Sequence, residues 1–189
     1  MSIPRHRRHA VGSFVLLGVA IGAAALALFP SPRAEGAGSI APDALGGDAV
    51  ARGKYLVTIA SCHDCHTPGY FLGKPDMARY LGGSDVGFEL PGLGVFVGPN
   101  LTPDKATGLG NWTDKQVITA LQTGARPDGR MLAPIMPYHA FANLTPQDAQ
   151  AIVAFLRSIP PVPHKVPGPF GPTETPSTFV MKLVPPAGK

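Results

Sequence analysis

Sulfur chemistry is scarce in this chain: among 189 residues only two are cysteines, and both lie within Ser61-Cys-His-Asp-Cys-His-Thr67. A structural zinc site usually closes a tetrahedral shell with two such pairs, and here there is one. His63 and His66, with a distant His139 or His164, would have to complete the set, and they show no ligand spacing. Strand signals are missing around Cys62, which argues against a dithiol redox pair set after a strand of an α/β fold, and equally against a plain structural disulfide. No internal repeat is visible, and no stretch interleaves basic and aromatic residues as single-strand binders do.

What is present is the run Cys62-x-x-Cys65-His66. Covalent haem attachment uses all three residues at once, with the two thiols adding across the vinyl groups and the imidazole reaching the iron. The spacing sets the sulfurs under neighbouring porphyrin edges and His66 beneath the ring centre. The motif occurs once, so one haem c per chain is expected, with His66 as proximal iron ligand. The sixth position decides between electron transfer and chemistry. Its candidates are Met77, Met131, Met136, Met181, His139 and His164. Met136 is preferred because prolines at 134 and 137 restrict the loop that presents its thioether; Met131 and then His139 follow. His63 is expected to face solvent. Trp112 and Tyr138 can pack on the ring or serve as core aromatics, and Arg126 and Arg130 can pair with propionates or stay solvated.

The N-terminus reads as a membrane-targeting segment. Arg5, Arg7 and Arg8 fall in a basic stretch, residues 1–10, and Val11 to Phe29 is uncharged. Its length of nineteen residues favours a retained spanning helix over a cleaved signal, although Ala34-Glu35-Gly36 is an acceptable cleavage site. Either way the arginines stay cytoplasmic and the rest crosses. The expected location is a bacterial inner membrane, single-pass, with the haem domain in the periplasm; a soluble periplasmic form after cleavage is the alternative. The formal charge of +4 is concentrated before residue 39, leaving 12 basic and 11 acidic residues in the remainder. The basic pI therefore reflects topology, and no nucleic-acid partner is expected.

A Gly/Ala/Pro-rich linker covers residues 30–47, a compact domain 48–162, and a Pro-rich extension 163–189. Three helices are expected in the domain. The first, over about 49–61, leads into Cys62. The second opens at the capping box Thr113-Asp-Lys-Gln116 and ends near Gly124. The third opens at Thr145-Pro146 and is stopped by Pro160-Pro161. Pro68 to Asn111 shows no helical periodicity and reads as loop wrapped around a large flat cofactor. The fold class is therefore all-α. In the extension, Phe170, Phe179, Met181, Leu183 and Val184 are apolar anchors, and an arm over its own domain that also touches a partner is expected rather than a disordered end.

Gly98-Pro-Asn-Leu-Thr-Pro-Asp104, Thr107-Gly-Leu-Gly-Asn-Trp-Thr113, Gly124-Ala-Arg-Pro-Asp-Gly-Arg130, Met136-Pro-Tyr138 and Ala151-Ile-Val-Ala-Phe-Leu-Arg157 resemble class I c-type cytochromes. More narrowly, residues 45–162 resemble the cytochrome c subunits of membrane-bound periplasmic dehydrogenases for alcohols, aldehydes and sugar acids. The resemblance implies three main helices and long loops around one covalent haem, and ligands matching His66 and Met136. It also implies electron delivery from a dehydrogenase donor toward a quinone pool, an oxidase or another cytochrome of the respiratory chain. Many such subunits carry three modules in series; this chain has one. The expected function is outer-sphere electron transfer, not catalysis. The alternative is a haem enzyme or a gas- or peroxide-binding protein with an open distal site.

Overall fold

The computed structural model describes residues 45–186. The basic segment, the apolar segment 11–29 and most of the linker lie outside the described residues. Among the described residues, no helix is long and apolar enough to cross a membrane.

The three expected helices are present, and their ends follow the local chemistry. Helix α1 (Leu45–Ile59) starts four residues before the expected 49 and leads to the short α2 (Cys62–His66). Helix α3 (Asp114–Thr123) opens on the complete capping box: Gln116 N–H donates to Thr113 Oγ1 at 3.2 Å, and Thr113 N–H to Gln116 Oε1 at 2.8 Å. It closes on Gly124 in the left-handed region, with φ 77°. After the four-residue α4 (Tyr138–Phe141) comes α5 (Pro146–Ser158), where Thr145 Oγ1 accepts from Asp148 N–H and proline occupies the first turn.

The core forms where α1 crosses α5. Leu56 and Val57 from α1 meet Ile152, Phe155 and Leu156 from α5, and Val117 of α3 closes the cluster. The contact is backbone to backbone at Gly53, where a Cβ would stand 1.9 Å from the Ala151 carbonyl oxygen. Only hydrogen fits there. Arg157 then ties the end of α5 to the approach of α3, donating to the carbonyls of Leu109 and Trp112 and to Asp114.

The all-α expectation describes this core and is incomplete elsewhere. Inside the stretch read as loop, β1 (Val86–Leu90) and β2 (Gly94–Val97) form an antiparallel hairpin with Phe88 opposite Phe96. From the far end of the chain, β3 (Phe179–Met181) adds in parallel to β1, giving the order β2-β1-β3. The strands are only three to five residues long, too short for an alternation to register, and β1 is interrupted by Gly87. The β1–β3 pairing joins Val86 to Phe179, a distance in sequence that no local pattern reveals.

The extension is thus an arm over its own domain. Phe170 and Val95 exchange both backbone hydrogen bonds at 2.9 Å, and Thr178 Oγ1 donates to the Asp85 carbonyl. Phe179 and Leu183 remain exposed.

Gly53→Ala must push α1 off α5, because the obstructing atom is a backbone oxygen; a loss of about 3 kcal/mol is expected in denaturant unfolding of the haem-loaded protein. Gly73, with φ 74° and open space where a Cβ would go, serves as control: its alanine variant carries only the left-handed strain, about 1–2 kcal/mol. Equal losses at the two positions would contradict the close crossing.

Candidate functional site

The chain leaves α1 by a single sharp step. Ala60 N–H still donates to Leu56 O, but Ser61 sits in the left-handed region at φ 54°, and the chain turns into α2. One helical turn then carries Cys62, Cys65 and His66 at positions i, i+3 and i+4, which share a helix face. The two thiols are free and half-buried. Burial pushes the Cys62 thiol up to about 11 and raises that of Cys65 as well. Both are therefore neutral thiols at physiological pH, whereas a reactive dithiol pair needs a lowered pKa. Among the described residues, no group of three or more His, Cys, Asp or Glu could hold a metal ion, so a zinc site has no donor set here.

His66 is 6% exposed, and its Nδ1 lies 2.8 Å from the carbonyl oxygen of Pro99. A carbonyl can only accept, so Nδ1 carries the proton and Nε2 keeps its lone pair. Burial pulls the imidazole below its ordinary pKa, opposed by the Pro99 bond, and the ring is neutral, as an iron ligand must be. The backbone of the 98–101 segment is pressed against this turn. A Cβ on Gly98 would stand 1.8 Å from the Cys65 carbonyl oxygen. Gly83 N–H donates to His66 O at 2.8 Å and Ser84 N–H to Gly98 O at 2.9 Å, so the 81–84 loop clamps both sides. Two thiols and a neutral, oriented imidazole on one turn fit the attachment of a haem. Ile59, just before the turn, and Met131 and Ile135, on the segment that carries Met136, are large apolar side chains left about half exposed.

His63 departs from expectation. It is half-buried, with Nδ1 2.8 Å from Thr67 Oγ1, and its ring packs edge-on to Tyr70 and tilted against Tyr80. Thr67 is fully buried and its hydroxyl also accepts from Leu81 N–H, so the site side of the loop is held by a residue that sequence reasoning passed over. Pro99 and Gly98 were inside a quoted motif, but nothing local links them to a histidine 33 positions away.

Met136 stands on a separate segment. It is half-buried in a turn in which its N–H donates to Ala133 O at 2.9 Å and its carbonyl accepts from Tyr138 N–H at 2.8 Å. Met131 is 57% exposed, and Tyr138 is half-buried with its ring 4.2 Å from that of the exposed His139. Trp112 packs against the core, and the Arg126 guanidinium lies over its ring at 5.3 Å. Arg126 and Arg130 share Asp128, at 3.2 and 2.7 Å. Hydrogen bonds from Arg130 and then Arg126 hold that carboxyl well below the usual carboxylate range. His164 is also engaged, with Nδ1 2.7 Å from Gly82 O.

Residues 50–160 match the Cytochrome c family. The chain is 37% identical over 112 residues to the fructose dehydrogenase cytochrome subunit of Gluconobacter japonicus, covering 58% of this chain and 22% of that one. It is 36% identical over 114 residues to the cytochrome c subunit of the alcohol dehydrogenase (quinone) of Gluconobacter oxydans, covering 60% and 22%. Against the gluconate 2-dehydrogenase cytochrome c subunit of Pantoea cypripedii it is 30% identical over 125 residues, covering 66% and 26%. The matched region thus spans about a quarter of the length of these relatives. The family match takes in more than half of the chain together with its single Cys-x-x-Cys-His turn, and the chain belongs to the cytochrome c family, whose members carry covalently bound haem c.

Proposed function

We propose that this chain is a mono-haem electron carrier that passes single electrons, by outer-sphere transfer, between a dehydrogenase and the respiratory chain. The observation that carries the reading is the neutral, buried His66 with Nδ1 spent on Pro99 and Nε2 left for iron. Cys62 and Cys65 would hold the ring by thioethers, His66 would be the proximal ligand and Met136 the distal one. When bound, haem c supplies a one-electron ferric/ferrous couple.

The chain's own residues do the rest. Pro99 keeps the imidazole in one tautomer and one orientation, which raises its basicity as a ligand. Pro134 and Pro137 limit the turn around Met136, so that its thioether is offered with little entropy to lose. Thioether ligation and an apolar surround favour the ferrous state and a higher potential. The relatives support the choice of partner: all three are named as cytochrome subunits, of a fructose dehydrogenase, an alcohol dehydrogenase (quinone) and a gluconate 2-dehydrogenase. A donor dehydrogenase of that kind, with an oxidase or another cytochrome as acceptor, is the proposed setting.

The domain would run over residues 48–162, held at a bacterial inner membrane by residues 11–29 with the haem side in the periplasm. The uncharged length of that segment and the arginines before it support this placement.

The mass of the purified chain is expected to exceed the polypeptide by one haem that resists acid–acetone extraction; Cys62→Ala and Cys65→Ala should each leave a single thioether, read as a shifted pyridine haemochrome band. Two haems per chain, or full extraction, would contradict the reading. The ferrous protein is expected to be low-spin and indifferent to carbon monoxide. Met136→Ala should abolish the far-red sulfur-to-iron band and admit carbon monoxide. An unmutated protein that binds carbon monoxide would instead have an open sixth position.

A further inference from the structure

The peptide that orients His66 has a second connection. Asn100, the residue after Pro99, is 2% exposed, and every polar atom of its side chain is engaged. Its Nδ2 donates to Val162 O at 2.7 Å and to Thr107 Oγ1 at 3.0 Å, and reaches His164 O at 3.3 Å. Its Oδ1 accepts from Thr102 N–H at 2.9 Å and Thr102 Oγ1 at 2.7 Å. Thr102 Oγ1 in turn accepts from Val162 N–H at 3.0 Å, which closes a ring of hydrogen bonds joining Asn100, Thr102 and Val162.

The stretch after α5 also reaches the other wall of the clamp. His164 N–H donates to Thr107 Oγ1 at 3.1 Å, while its ring Nδ1 sits 2.7 Å from Gly82 O. Space for a larger backbone is absent on that wall, since a Cβ on Gly82 would lie 2.8 Å from Val162 Cγ1 and one on Gly83 2.1 Å from Val166 Cγ2. Val162 to Val166 therefore grips the 98–102 and 82–83 segments together, and these are the two segments that bond His66, through Pro99 O and Gly83 N–H.

The geometry points to Asn100 as a positioning residue through which the stretch after α5 fixes the Pro99 carbonyl on His66 and so tunes the iron's proximal ligand. The inference rests on His66 being that ligand. A fully satisfied buried amide has one good orientation; removing it leaves Thr102 N–H without a partner, takes one of the donors from Val162 O, which keeps that of His164 N–H at 2.9 Å, and frees the 99–100 peptide to tilt. A looser Pro99 bond makes the imidazole a weaker donor, which favours ferrous iron.

The test uses full-length, haem-loaded, nitrogen-15-labelled protein in the ferrous state. The His66 Nδ1 proton is expected to exchange slowly with solvent. Asn100→Ala should speed its exchange roughly tenfold, the factor for one net hydrogen bond, and raise the midpoint potential. The low-spin spectrum and helix content should be unchanged. In the full-length chain, Thr107→Val, which takes a partner from both Asn100 Nδ2 and His164 N–H, should move exchange and potential in the same direction, and combining it with Asn100→Ala should give less than the sum of the two. Unchanged exchange and potential in Asn100→Ala, or additive effects in the combination, would overturn the inference. Should Asn100→Ala not accumulate, Thr107→Val alone is read by the same criteria. An unmutated protein with no His66 Nδ1 proton signal would instead overturn the ligand assignment.

Discussion

The hydrogen bond from His66 Nδ1 to the Pro99 carbonyl is the interaction on which the site depends, and it exists only because two backbones are packed at their closest approach. Gly98 against Cys65 O leaves no room for a side chain, so the carbonyl that follows is placed by steric contact before any polar preference acts. Gly53 against Ala151 O does the same one layer further in, fixing α1 on α5 and so the direction in which α1 delivers Ser61 and the two thiols. Interiors packed at this density transmit displacement instead of absorbing it. A site assembled this way holds the His66 imidazole in one orientation.

Polar groups reinforce the frame. Among the described residues, no buried side-chain nitrogen or oxygen lacks a hydrogen-bond partner. The hydroxyls of the buried Thr67 and Thr102 accept from loop N–H groups, and the Asn100 amide donates to a loop carbonyl; no helix or strand would otherwise satisfy these groups, which is how a long Gly- and Pro-rich connection becomes rigid. The exposed ion pairs contribute less: Arg52 with Asp148 spans α1 and α5 at the surface, where water screens the pair.

Helix ends were legible because capping is local. Thr113 with Gln116, Thr145 with Pro146, and Gly124 each announce a boundary within a few residues. The start of α1 has no such signal and was placed late. The attachment turn was legible for the same reason, since Cys62, Cys65 and His66 lie within one helical turn. What joins distant residues was not: β3 on β1, Pro99 on His66, and the stretch after α5 on Asn100. His63 looked like a solvated histidine because Tyr70 and Tyr80 approach it only after the loop folds back. Asp128, two residues from Arg126 and from Arg130, pairs with both, a local contact that the reading of these arginines as propionate partners or solvated side chains did not include.

The claim that the clamp around His66 is part of the global fold is tested most directly by native-state hydrogen exchange of the Gly83 and Ser84 amides, whose acceptors are His66 O and Gly98 O. In the haem-loaded protein both should exchange only through global unfolding, with the same denaturant dependence as the α1 and α5 core. Exchange of these two amides by local opening, well below the global free energy, would contradict the account and make the site a loop held mainly by its cofactor.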